Sequence, residues 1–138
     1  MAAPSDPVPA EPTPDAARSA RSARSARSAL EVERATTLAR IGAMTAEFEE
    51  IVAGSADSNA DDEHDPEGST IAFERAQTSA LLAEARAYLV DLERALTRLD
   101  AGTYWTCERC SEPIAAERLA ARPATRTCIA CAGLPPTT

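Results

Sequence analysis

The chain has 138 residues, with 22 acidic and 14 basic side chains and a formal net charge of −8 at pH 7. This length allows one modest domain with extensions, and the 4% aromatic content favours a thin helix–helix seam over a thick core. No stretch approaches the roughly 18 apolar residues of a membrane span, and no secretory signal is visible. We therefore expect a cytoplasmic protein that contacts no membrane and keeps its thiols reduced.

Residues 1–29 are predicted to form a disordered leader. Five of the ten prolines fall within the first fourteen residues, a composition that cannot bury enough apolar surface to fold. Four Ala-Arg-Ser repeats follow at residues 17–29, and a period of three does not keep the arginines on one helical face. We interpret the repeats as a solvated, partly helical segment. The alternative is a weak arm for phosphate or acidic groups.

A helix is predicted over residues 30–53. Its apolar residues alternate spacings of three and four, which is the seam of a coiled coil. Gly54 is the expected stop. The seam residues are Ile41, Met44, Phe48 and Ile51, with Leu30 and Thr37 extending it upstream.

A second helix is predicted over residues 66–100, and Gly102 ends it. The same spacing recurs at Leu82, Ala85, Leu89, Leu92, Leu96 and Leu99. Two such helices should pack antiparallel, so residues 30–100 are predicted to form a coiled-coil hairpin. A two-helix rod this thin needs a clamp at its open end.

The connection between these helices, residues 54–69, is predicted to be an acidic tip. Its acids are Asp57, Asp61, Asp62, Glu63, Asp65 and Glu67, and no Arg or Lys offsets them. Asp65 precedes Pro66, and an Asp cap before a first-turn proline explains that one carboxylate structurally. Most of the other acids have no such explanation.

All four cysteines lie in one C-x₂-C-x₁₇-C-x₂-C pattern near the C-terminus, at Cys107, Cys110, Cys128 and Cys131. This spacing is typical of a zinc site, and four thiolate ligands leave no open position for catalysis. We therefore predict one structural Zn²⁺ in a small Cys₄ zinc-finger module at residues 101–133, followed by a disordered tail at 134–138. A redox pair or two disulfides are alternatives that fit the sequence context less well.

The charge of the finger argues against phosphate binding. Segment 101–138 carries four Arg and three Glu, and four thiolates around one Zn²⁺ add a charge of −2. Tyr104 and Trp105 could stack on bases, but aromatics beside a zinc turn more often form its core.

The finger sequence "GTYWTCERCSEPIAAERLAARPATRTCIAC" resembles that of the DksA/TraR-type regulators of bacterial RNA polymerase. The matching positions beside the cysteines are Ile114, Arg118, Leu119, Ala121, Arg122, Pro123 and Ile129, while Ser111 stands where the family usually has Gly. The resemblance implies a mainly α fold, with a coiled coil that enters the secondary channel of RNA polymerase. It further implies acidic tip residues, here Asp61, Asp62 and Asp65, that act near the catalytic centre.

The resulting hypothesis is a non-enzymatic, monomeric transcription regulator whose partner is RNA polymerase and which does not bind specific DNA sequences. Two alternatives remain open. One is a zinc-ribbon protein that binds nucleic acid through the Ala-Arg-Ser arm, and the other is a thiol-based redox sensor.

Overall fold

The computed structural model describes residues 2–4, 7, 9–57 and 66–136, and its fold is mainly helical. Helix α1 spans Pro14–Asp57, α2 spans Pro66–Ala101, α3 spans Ala116–Ala121 and α4 spans Ile129–Ala132. The only β pairing in the described residues is an isolated bridge between Thr106 and Pro113. The described helices include none that is long and apolar enough to cross a membrane.

The predicted coiled-coil hairpin is confirmed, because α1 and α2 bury the spaced residues against each other. Leu30 and Thr37 are buried on α1, and Leu82, Ala85 and Leu92 are buried on α2. At a rise of about 1.5 Å per residue, α2 alone is about 54 Å long. The hairpin is therefore a rod two helices thick.

Two ion pairs cross between the helices and show that they run in opposite directions. Arg27 pairs with Asp100, and Arg34 pairs with Glu93 at 3.4 Å. The two pairs are one heptad apart on both helices. Each pair lies beside the seam, so together they mark the register at the base of the rod.

Helix α1 begins at Pro14, sixteen residues before the predicted start at residue 30. The start signals are local: the Thr13 hydroxyl accepts from the backbone N–H of Ala16 at 3.3 Å, and Pro14 takes the first helical position. The alanines of the repeats have the highest helix propensity, and Ala23 and Ala26 pack against the core. The leader without regular structure is therefore shorter than expected.

At its other end α1 continues through Gly54 to Asp57, so Gly54 does not stop the helix as predicted. A glycine inside a helix costs about 1 kcal/mol, which a long packed helix can absorb. Helix α2 begins at Pro66 as expected. The predicted tip residues Asp61, Asp62 and Asp65 lie outside the described residues.

The core sits at the base of the rod, where both long helices meet the finger. It is one cluster formed by Leu30, Leu92, Ala95, Leu99, Tyr104, Cys107, Ile114, Leu119 and Cys131. Hairpin and finger therefore share a single hydrophobic core.

Candidate metal centre

The end of α2 turns the chain into the finger. Gly102 has a positive φ of 77°, and its N–H donates to the Leu99 carbonyl at 3.2 Å. The next N–H, that of Thr103, donates to the Arg98 carbonyl at 2.9 Å. This pair of bonds is a Schellman motif, which a left-handed glycine completes.

The first Cys-x-x-Cys turn is held by backbone hydrogen bonds. The Cys107 N–H donates to the Glu112 carbonyl at 2.8 Å, and the Ser111 N–H donates to the Cys107 carbonyl at 3.0 Å. Ser111 adopts a positive φ of 64°. This is the position at which the resembling family usually has glycine, and the left-handed backbone explains that preference.

The second turn carries Cys128 and Cys131 at the start of α4. The Cys131 N–H donates to the Cys128 carbonyl at 3.1 Å, which closes the turn. The two turns are joined because the Glu108 N–H donates to the Arg126 carbonyl at 3.0 Å. Both pairs of sulfur atoms consequently face one point.

The four Sγ atoms all lie within 4.8 Å of one another, and Cys110 Sγ lies 3.7 Å from Cys128 Sγ. A Zn–S bond of about 2.3 Å places the sulfurs of a tetrahedral site about 3.8 Å apart. A disulfide would need about 2.05 Å between sulfurs, and all four cysteines are free. The arrangement fits one structural Zn²⁺, as predicted from the spacing.

The thiols differ in acidity. Hydrogen bonds from the backbone N–H groups of Cys110 and Cys128 lower the pKa of Cys107 to about 6. Burial, followed by the neighbouring thiols, raises the pKa of Cys131 to about 12. Four close thiols cannot all ionise without a cation among them, so Zn²⁺ binding must displace protons from this cluster.

A buried arginine of α2 joins the rod to the finger. The Arg98 guanidinium donates to the carbonyl of Thr106 at 2.8 Å, and to that of Thr103 at 3.1 Å. Longer bonds reach the carbonyls of Tyr104 and Thr125 at 3.5 and 3.4 Å. An ion pair with Glu108 at 3.4 Å completes the set, so one side chain of α2 contacts the loops that carry both turns.

Other side chains tie the segment between the two turns to the rest of the finger. The Tyr104 hydroxyl donates to the Pro123 carbonyl at 2.9 Å, and Arg118 Nε donates to the Thr127 carbonyl at 2.8 Å. Tyr104 is buried, and its ring lies edge-on to Trp105 at 4.9 Å. Tyr104 therefore belongs to the core, whereas Trp105 is half-buried and borders a groove.

Sequence reasoning identified the four ligands but missed Arg98, whose role depends on tertiary structure. The sequence does contain one indication of this role, since a basic residue four positions before a helix-ending glycine can reach the loop that follows. The structure leaves the predicted tip residues Asp61, Asp62 and Asp65 untested.

Comparison with known proteins agrees with this geometry. Residues 102–134 match the prokaryotic dksA/traR C4-type zinc finger. A protein of Aquifex aeolicus (strain VF5), described as uncharacterized, is 48% identical over 46 residues. That match covers 33% of this chain and 32% of the relative, so the chain spans about a third of the length of the curated relative that it matches.

The fold is similar to that of transcription factor DksA2 from Pseudomonas aeruginosa. The TM-score is 0.68 at 24% sequence identity, and the match covers 80% of each chain. The likeness therefore includes the hairpin as well as the finger. Residues 102–134 are therefore a zinc finger of the dksA/traR type, and the fold around that finger is similar to that of DksA2.

Proposed function

We propose that this protein is a transcription regulator that binds bacterial RNA polymerase in the cytoplasm and inserts its coiled coil into the secondary channel. The observation that carries the proposal is the combination of a DksA-like hairpin with the family's C4 finger at its base. The zinc site supports a non-enzymatic role, because all four coordination positions are taken by cysteine.

The distribution of charge supports the proposal. Residues 41–75, the distal half of the rod and the connection, carry ten acidic side chains and one arginine. Their net charge of −9 exceeds that of the whole chain, so the remaining residues sum to +1. A long thin rod whose negative charge is concentrated at one end is suited to enter a channel and to act on a cationic centre there.

Binding is tested by capturing RNA polymerase core enzyme on the zinc-loaded protein, with a known secondary-channel factor as competitor. We expect saturable capture that the competitor removes. Capture that persists in excess competitor would place the protein elsewhere on the polymerase, and no capture by a fully zinc-loaded protein would reject the proposal.

The tip is tested by converting Asp61, Asp62 and Asp65 to Asn. We expect the variant to bind polymerase nearly as well as the parent but to lose its effect on promoter-complex lifetime. The matched control converts Glu11, Glu31 and Glu84 to Gln, which removes the same charge away from the tip. Unchanged regulation by the Asn variant, or equal loss in the control, would reject a role for the tip carboxylates.

A further inference from the structure

A groove of about 530 Å³ lies between the first part of α1 and the finger. We call it the base groove. Its polar wall comes from the Ala-Arg-Ser repeats and includes Arg21, Ser22 and Ser25. The floor and opposite wall come from the finger and include Trp105 and Leu119. One side thus offers a guanidinium and two hydroxyls, and the other offers apolar surface.

The base groove exists because α1 extends beyond α2. The register pairs Arg27 with Asp100, and α2 ends at Ala101, so α1 residues 14–25 have no facing residue on α2. Ala23 and Ala26 pack against the finger core, while Ser22 and Ser25 remain exposed. The extension therefore forms a preorganised helical wall that the finger covers only in part.

The charge of this wall indicates the chemistry of its partner. Arg27 is paired with Asp100, whereas Arg18, Arg21 and Arg24 make no ion pair within the described part of the chain. Residues 14–40 carry a net charge of +3 in a protein whose total is −8. Such a local excess of arginine favours a partner with carboxylates.

We propose that the base groove docks an acidic amphipathic helix of a partner protein. Carboxylates of that helix contact Arg21 and the neighbouring hydroxyls, and its apolar side chains pack on Trp105, Ala120 and Pro123. The described residues provide only one isolated β bridge and no open strand edge, so an added strand has no template here. A helix laid in a groove is the recognition mode that this surface allows.

The lining also distinguishes a peptide from nucleic acid. Apart from the aromatic Tyr104 and Trp105, of which Tyr104 is buried, the apolar lining is aliphatic, formed by alanines, Leu119 and Pro123. Successive bases need several exposed rings on which to stack, and aliphatic side chains do not provide them. The groove lies at the opposite end of the rod from the acidic connection, so the proposal goes beyond the proposed function and does not depend on it.

Trp105 allows a direct test, since it is the only tryptophan of the chain and borders the groove. The probe is a synthetic helical peptide of Glu, Ala and Leu, with leucines at helical i, i+3, i+4 and i+7 positions and no tryptophan. Titration into the full-length, zinc-loaded protein should give a saturable change in tryptophan emission. Replacing every Glu of the peptide by Gln should weaken binding by about tenfold, a loss of about 1.4 kcal/mol.

Two substitutions on α1 examine the wall without touching the core. Arg21→Glu should weaken binding of the acidic peptide by more than about tenfold, while Arg40→Glu, the same change at an exposed position outside the groove, should alter it by less than about twofold. Ser22→Phe should block the groove, whereas Ser28→Phe, which lies outside it, should not.

Three outcomes would overturn the proposal. The first is no saturable emission change with the acidic peptide, or an equal loss with Arg21→Glu and Arg40→Glu. The second is saturation by an oligouridine strand in place of the peptide, which would assign the groove to nucleic acid. The third is an emission change on removal of residues 1–12, with no response to the peptide in the full chain, which would make the chain's own tail the occupant.

Discussion

Arg98 shows how one side chain connects two parts of the molecule. It is only 9% exposed, and its guanidinium contacts four backbone carbonyls of the finger in addition to the Glu108 carboxylate. Carbonyls buried without a donor are costly, so the finger depends on this arginine for the hydrogen bonds of its loops. A residue on α2 thereby fixes the geometry of the segment that leads to the first zinc ligands.

Replacing Arg98 with Met should destabilise the zinc-loaded protein by about 3 kcal/mol, because several charged hydrogen bonds are lost and their carbonyls remain partly buried. Urea unfolding followed by circular dichroism measures this change. The control is Arg94→Met, which removes an exposed pair with Asp91 and should cost less than about 0.5 kcal/mol. Equal losses in the two variants would show that Arg98 is not a structural link.

Ser111 adopts a backbone conformation that is unfavourable for a residue with a Cβ. Its φ of 64° places it in the left-handed region, where an L-amino acid with a Cβ pays about 1 kcal/mol. Ser111→Gly should therefore stabilise the zinc-loaded protein by up to about 1 kcal/mol, measured by the same urea unfolding. Ser111→Ala keeps the Cβ and should give no gain, so an increase with alanine would contradict the backbone explanation.

At the level of the helices, the sequence predicted the buried seam well and the helix ends poorly. Of the predicted seam residues on α2, Leu82, Ala85, Leu92 and Leu99 are buried, whereas Leu89 and Leu96 are half-buried. The spacing predicts this face because a coiled coil repeats the same contact every seven residues. Hydrophobic spacing does not predict the start at Pro14, because the Ala-Arg-Ser repeats have no apolar stripe. The local signal for this start is the capping sequence Thr13-Pro14-Asp15, which lies within a proline-rich segment. Gly54 does not predict the end at Asp57, because a glycine lowers helix stability by only about 1 kcal/mol and does not by itself end a helix.

The features at the base of the rod likewise divide into those that the sequence predicts and those that it does not. Cysteine spacing is a local constraint imposed by the metal, so the four ligands could be read from the sequence. The contacts of Arg98 and the base groove arise only when α1, α2 and the finger come together, and no local pattern encodes them. The extension of α1 forms one wall of the groove, so a helix that began at residue 30 would leave the groove without its polar side.

Replacing Leu30 tests whether α1 contributes to the core that the rod shares with the finger. The side chain is fully buried and lies in the cluster that contains Tyr104 and Leu119. Leu30→Ala should cost about 3 kcal/mol in unfolding free energy, as expected for a large side chain removed from a core. Leu38→Ala, on the same helix but 44% exposed, should cost less than about 1 kcal/mol. Similar costs at the two positions would mean that the finger does not cover Leu30 in solution.

Considered as a whole, the molecule is a rod with a folded base and an acidic far end. Within the described residues no third helix packs along the rod, and on α1 nearer the tip Ile41, Met44 and Phe48 are only half-buried, although Leu82 on α2 is buried. Its best-buried apolar residues belong to the cluster shared with the finger. Stability of the rod should therefore be set at its base, where the metal is bound.

Zinc removal tests this dependence. Structural zinc in such small modules supplies on the order of 10 kcal/mol of folding free energy, so a chelator should unfold residues 102–134. Because Leu30, Leu92 and Leu99 share their core with Tyr104 and Ile114, loss of the finger should also lower the temperature at which the two long helices melt. Thermal melts followed by far-ultraviolet circular dichroism, with and without chelator, measure the shift, and returning zinc should reverse it.

Cys110→Ser, which removes the one exposed ligand without disturbing the apolar core, should also lower the melting temperature. If the helices melted at the same temperature in both states, the rod would be stable without the finger, and the zinc site would serve only to shape the base for its partners.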